Sequence, residues 1–238
     1  MAYESRAGIV VARRGLTLEL GPREWRAIGD AFARDHHVFL RGFLDDDVLS
    51  ILQTRLARGA FRKRIEDGRE IERTLDDPAL VALYLVALND PALLTTITRL
   101  TGCGAIGCFT GRVHLRGPRS DGGHYYPWHS DATDHRMIGL TVNLGDNPYE
   151  GGVLEIRRRD TELVIARASN PTPGDAVIFR ISGELEHHVT PVTAGGPRMV
   201  LAGWFRREPD FWREALAMPE AVDGSTNRPP TASPRTAI

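Results

Sequence analysis

The sequence predicts an α+β fold, a helical layer followed by a sandwich or double-sheet jelly roll, and two observations carry that reading. The first is a change of texture near residue 105, where apolar residues at helical spacing give way to short runs of strand length. The second is the punctuation of the later part. Gly145-Asp146-Asn147-Pro148, Pro171-Thr172-Pro173-Gly174 and Gly195-Gly196-Pro197 cut it into strand-sized pieces. With 238 residues, 42% of them hydrophobic, the chain can bury one large core. One domain is therefore expected over residues 1–222, helical over 1–104 and jelly-roll over 105–210. Residues 223–238 are rich in Pro, Ser and Thr and poor in apolar side chains, which predicts a disordered tail.

The elements follow in order. Gly21-Pro22 opens a helix with Trp25, Ile28 and Phe32 on one face, the proline near its first turn. Residues 37–43 read as a short strand. Asp45, Asp46 and Asp47 supply capping carboxylates for a helix striped with Val48, Leu49, Leu52 and Leu56. Asp77-Pro78 and Asp90-Pro91 each start another helix, and Gly102 stops the second of these. Residues 61–76 are rich in charge and poor in apolar side chains, which predicts a mobile surface loop, with a substrate lid as the alternative. Strands are expected over 106–115, 137–144, 152–156, 162–168, 176–180, 187–192 and 198–206.

Charge excludes some classes. The net charge of −1 gives no overall electrostatic attraction to nucleic acid or to a membrane surface, and no apolar run reaches spanning length. Cys103 and Cys108 are too few for a disulfide framework and read as free thiols. With no signal-like N-terminus, a cytoplasmic location is expected. His36-His37 and the triplet Arg157-Arg158-Arg159 read as surface features.

The chemistry begins at Trp128-His129-Ser130-Asp131. In an extended segment, residues two apart project to one face, so His129 and Asp131 can point into one cavity. An imidazole and a carboxylate are two thirds of a facial iron(II) site. A third ligand must come from a distant strand, and His187-His188-Val189-Thr190-Pro191 offers two adjacent histidines. Neighbours in a strand face opposite ways, so only one can ligate, and parity alone does not choose between them.

These residues together resemble the prolyl-hydroxylase-like branch of the 2-oxoglutarate/Fe(II) dioxygenases. That family carries His-x-Asp, a later His-x-Val-x-Pro, and an Arg or Lys about ten positions on. Tyr149 to Ile156 resembles its Gly-Gly-x-Leu strand, Pro173-Gly174-Asp175-Ala176 its Gly-Asp-Ala turn, and Gly122 to Pro127 its approach to the first ligand. The resemblance spans roughly residues 36–207 and implies a double-stranded β-helix (jelly roll) core. It implies His129, Asp131 and His187 as the ligands of Fe(II). It also implies that Arg198 pairs bidentately with the far carboxylate of 2-oxoglutarate. Thr141 and Tyr126 are candidates for a hydroxyl that completes that site. The implied reaction consumes dioxygen, releases succinate and CO2 and oxidises a C–H bond of a small molecule, such as an amino acid or natural product, or of a peptide. Family members that halogenate replace the carboxylate by a small residue, so Asp131 favours hydroxylation.

Arg112, His114 and Arg116 alternate with Val113 and Leu115. A solvated strand face is one reading. If that face turns inward, it could recognise an acidic substrate. Two other functions fit less of the sequence. A cupin-like metalloenzyme that does not use 2-oxoglutarate would need no Arg198, and a non-catalytic binding domain would need no intact triad.

Overall fold

The computed structural model describes residues 4–5, 8–66, 69–118, 127–132 and 135–212. Four helices are α1 (Pro22–Asp35), α2 (Asp46–Leu56), α3 (Pro78–Leu88) and α4 (Pro91–Thr101). Each starts as the sequence predicts. The Asp45, Asp77 and Asp90 carboxylates accept the first-turn N–H groups of Val48, Leu80 and Ala92. Gly102, in the left-handed region at φ 64°, closes α4.

The strands of the N-terminal half are β1 (Glu4–Ser5), β2 (Ile9–Ala12), β3 (Gly15–Leu18), β4 (His37–Leu40), β5 (Phe61–Glu66) and β6 (Arg69–Leu75). The remaining strands are β7 (Cys108–Arg116), β8 (Arg136–Asn143), β9 (Tyr149–Gly151), β10 (Leu154–Arg158), β11 (Val164–Ala168), β12 (Ala176–Arg180), β13 (Leu185–Val189), β14 (Val192–Gly195) and β15 (Arg198–Arg206). The main sheet has the order β1-β4-β12-β8-β15-β7-β6-β5, and smaller sheets run β11-β10-β13 and β14-β9. The fold is α+β with a jelly-roll core, as the sequence predicts.

Side-chain parity sorts the two faces of the main sheet. Ile138, Leu140, Ile178, Leu201 and Phe205 join the helices' Ile28, Phe32, Leu80, Leu93 and Ile97 in one core. Val177 and Phe179 turn the other way, against Leu154, Ile156, Ala168 and Leu185 of the small sheet. The sheet is thus covered on both sides, which explains why its central strands read as nearly continuous apolar runs. Polar residues on the second face, Thr141 and Arg198 among them, line the cavity that the two sheets leave.

The structure corrects several expectations. Residues 61–76 are not a loop. They form the β5–β6 hairpin, which extends the main sheet where Arg73 and Thr74 pair with Leu115 and His114. The charge that suggests a solvated excursion is partly internal, since Glu72 is 2% exposed. The expected strand over 187–192 is two strands, because Pro191 has no N–H for a ladder; Val192 re-pairs with Gly151. Among the described residues, the N-terminal part holds strands β1 to β6 besides helices α1 to α4. His37 is buried, with Nδ1 2.9 Å from the Asp35 carbonyl. Arg157 is likewise not a surface feature: its guanidinium donates to Glu186 at 2.7 Å and lies over the Trp128 ring. Cys103 is a half-buried free thiol, and Cys108 is buried. The expected tail over 223–238 lies outside the described residues. Among the described residues, no single helix is long and apolar enough to cross a membrane.

Candidate metal centre and co-substrate pocket

A reciprocal backbone pair creates the site. His129 N–H donates to the His187 carbonyl and His187 N–H to the His129 carbonyl, at 3.2 and 2.9 Å. This bridge stitches two segments far apart in sequence, and it leaves the two imidazoles 4.5 Å apart between centroids. Strand pairing also resolves the choice between the adjacent histidines. His187 lies opposite Ile156 and His188 opposite Glu155. The His187 ring therefore turns inward against Phe179, 4.8 Å away. The His188 ring turns to Glu155 at 2.9 Å and stacks on Trp128; it is buried, not exposed.

One donor atom each from His129, Asp131 and His187 lies within 4.8 Å of the others. The His129 Nδ1 sits 2.9 Å from the Pro127 carbonyl, which can only accept. The proton is thus placed on Nδ1, and the Nε2 lone pair is left for a ligand. The Asp131 carboxylate is held at both oxygens: Arg136 donates to Oδ1 at 2.9 Å and Trp204 Nε1 donates to Oδ2 at 2.7 Å. Arg136 also stacks on the Trp204 ring, 3.8 Å from its centroid. Burial raises the Asp131 carboxyl, but His187, at 3.4 Å, and the Trp204 N–H lower it to about 2. Burial in turn drives His187 below its ordinary value, against the pull of Asp131. Near neutrality Asp131 is a carboxylate and the His187 imidazole is neutral, the protonation states a divalent iron needs. Sequence reading does not single out Arg136 or Trp204; Trp204 shares strand parity with Arg198, and that was the available signal.

The triad opens on a cavity of about 280 Å³ that Arg198, Thr141, Arg112, His114 and Arg116 also line. On β15, Arg198 and Ala202 share parity. Arg116 lies opposite Arg198, while Arg112 and Thr141 lie opposite Ala202 on the flanking strands. The inward reading of the Arg112-His114-Arg116 face is the one the structure adopts. Arg198 is 3% exposed and Arg116 6%. Two guanidiniums opposite each other on neighbouring strands repel unless an anion lies between them. Glu72, which sequence reading places on a loop, accepts from Arg112 and Arg116 at 3.1 and 3.0 Å. Gly152 explains the Gly-Gly motif: at φ +62°, its missing Cβ leaves room for the Arg198 side chain, whose Cδ would lie 2.6 Å from one. Tyr126 lies outside the described residues.

The sequence profile of the 2OG-Fe(II) oxygenase superfamily matches residues 115–206, the stretch that holds all three triad residues and Arg198. A prolyl-4-hydroxylase from Pseudomonas putida is 26% identical, with a TM-score of 0.57 over 77% of this chain and 99% of that one. Residues 115–206 form a 2OG-Fe(II) oxygenase domain. The chain is an oxygenase of the prolyl-hydroxylase-like kind, and its cofactor and co-substrate are Fe(II) and 2-oxoglutarate. Two more distant structures share the fold of this oxygenase. The epimerase SnoN in complex with Fe3+, alpha ketoglutarate and nogalamycin RO is 16% identical, with a TM-score of 0.57 over 91% of this chain and 97% of that one. A prolyl hydroxylase from Trichoplax adhaerens in complex with a hypoxia inducible factor peptide fragment is also 16% identical, with a TM-score of 0.53 over 83% and 94%. No curated protein matches the chain in sequence. The donor set of this oxygenase fits the metal, with one ionised carboxylate and two imidazoles on one wall and a buried guanidinium within the same cavity.

Proposed function

We propose that this oxygenase hydroxylates a C–H bond of a small molecule, an amino acid or natural-product intermediate, or of a peptidyl residue. In this reading His129, Asp131 and His187 hold the iron, and Arg198 with Thr141 holds the far carboxylate of 2-oxoglutarate. Bound iron(II) and 2-oxoglutarate supply dioxygen activation and oxidative decarboxylation to succinate and CO2. The protein supplies the rest. The His129–His187 bridge sets the angle between two ligands, Trp204 and Arg136 hold the third, and Phe179 and Leu154 give the metal wall a dry lining. Arg198 orients the co-substrate through a pair of parallel N–H···O bonds.

The observation that supports this reading best is that three donors from separate segments, within 4.8 Å of one another, open on the same cavity as a 3%-exposed arginine. Asp131 occupies the position where a halogenating relative would have a small residue, which favours hydroxylation. The test measures succinate formed from 2-oxoglutarate with Fe(II) and air, in wild type and in His129→Ala. Wild type forms succinate and the variant does not; succinate unchanged by the substitution would count decisively against the assignment. Arg198→Ala is expected to raise the 2-oxoglutarate requirement at least tenfold while iron binding persists.

A further inference from the structure

The cavity is more cationic than its cofactor and co-substrate require. Among the described residues that line it, Arg112, Arg116, Arg136 and Arg198 carry permanent positive charge, and Asp131 alone is acidic. Glu72 adds a second carboxylate by reaching Arg112 and Arg116. Fe(II) and the 2-oxoglutarate dianion cancel each other. Four guanidiniums then face two carboxylates, an excess of two unit charges in a largely buried space. Glu72 is also shared, since Arg64 approaches the same oxygen as Arg112, at 3.4 Å.

Position separates these arginines into two groups. Arg116 stands opposite Arg198, and Arg112 stands opposite Ala202, four residues further along β15. That is on the order of 13 Å at the ordinary strand rise. The Arg112 backbone is therefore nearer the metal wall, two residues from the register position of Trp204, which holds Asp131, while its guanidinium leans to the Glu72 carboxylate that Arg116 also reaches. On the other side of β15, Arg136 lies flat on the same tryptophan. The side chains of Arg112 and Arg136 are 37% and 23% exposed, so a molecule entering past the metal would meet both. Two buried polar atoms on this wall have no hydrogen-bond partner: Arg112 Nε and His114 Nδ1. His114 is 5% exposed, and burial first, then Arg116, Arg198 and Arg112, holds its imidazole well below the ordinary value. It is a neutral group in the cavity lining.

Resting on the oxygenase reading above, we infer that Arg112, backed by Glu72, forms a second anion subsite in the cavity, apart from Arg198, and that the substrate presents a carboxylate to it. Glu72 is the positioning residue. It fixes the Arg112 guanidinium through Nη2, and the side chain, 37% exposed, still lines the cavity. The Trp204 indole and Arg136 make a flat wall suited to a planar or cyclic body next to that carboxylate.

The experiment titrates benzoate, phenylacetate and N-acetylphenylalaninate, each beside its uncharged amide, onto the anaerobic Fe(II)–2-oxoglutarate protein by calorimetry. The visible charge-transfer band of the chelate is recorded in parallel. At least one acid is expected to bind at least tenfold tighter than its amide with the band retained. Arg112→Gln is expected to lose that preference and keep the band. Arg112→Lys, which keeps the charge and so guards against misfolding around Glu72, is expected to lose most of it, because an ammonium lacks the two-pronged geometry. Acids and amides that bind alike, no acid that binds, or an acid that abolishes the band by taking the Arg198 site would each overturn the inference. Failure of the band to form in wild type would instead overturn the co-substrate reading on which it rests.

Discussion

At the scale of single residues, the metal wall depends on groups that never touch the metal. Trp204 gives its one N–H to Asp131 Oδ2, and the Gly152 backbone gives Arg198 its space. Trp204→Phe keeps the ring beneath Arg136 but leaves Asp131 a donor short. We predict a roughly 10- to 100-fold loss of Fe(II) affinity, read by metal titration, with little change in 2-oxoglutarate affinity once iron saturates. Gly152→Ala is predicted to do the reverse. Its Cβ would collide with the Arg198 stem at a positive φ, so the 2-oxoglutarate requirement should rise more than tenfold while iron affinity holds. Equal losses on both axes in either variant would refute this division of labour. That His129, Asp131, His187 and Arg198 meet in one cavity was legible in the sequence because family spacing groups them. Glu72, Arg136 and Trp204 were not, because their roles exist only once strands distant in the chain lie side by side. Charged and aromatic letters in isolation look like surface or core.

At the scale of elements, the β5–β6 hairpin is the part that sequence reading misplaces, and the reason is electrostatic. A segment dense in Arg and Glu has the composition of a solvated loop, yet here one of its carboxylates faces three guanidiniums indoors. Burial pushes the Glu72 carboxyl up, but Arg116 and Arg112 more than offset this, and it ends below the ordinary glutamate value. A depressed folded-state value means that the stabilisation is complete above the unfolded-state range, about pH 4.3. It is lost as pH falls from there through the folded-state value. Glu72→Gln is therefore predicted to be less stable at neutral pH by roughly 3 kcal/mol, the scale of a broken buried ion pair. The gap to wild type should narrow on acidification below about pH 4.3, as denaturant unfolding at several pH values will show. A gap that is constant or widens in acid would contradict the pairing. The helix starts and the end of α4, by contrast, were read almost to the residue, because Asp-Pro starts and a Gly stop act locally.

At the scale of the whole molecule, the jelly roll places its cofactor wall where two sheets meet: His129 and His187 join at the small sheet, and Asp131 is anchored to β15 of the large one. Metal loading should therefore brace one sheet against the other. At free Fe(II) one hundred times its dissociation constant, mass action alone gives about 2.7 kcal/mol of added stability. Anaerobic thermal unfolding with and without Fe(II) should show a rise in Tm for wild type and none for His187→Ala. The overall architecture was legible because alternation, turn punctuation and chain length constrain a jelly roll strongly. The extra strands that widen its large sheet, and so reach the cavity, were not.

The hairpin has one more consequence. It joins the body of the sheet through two residue pairs, yet it supplies the counter-charge that sets how much of Arg112 is left over for a guest. Selectivity is thus written on the margin of the sheet, while Arg198 sits on β15, held between β8 and β7. Relatives could exchange that margin and acquire new diets without ever disturbing the engine.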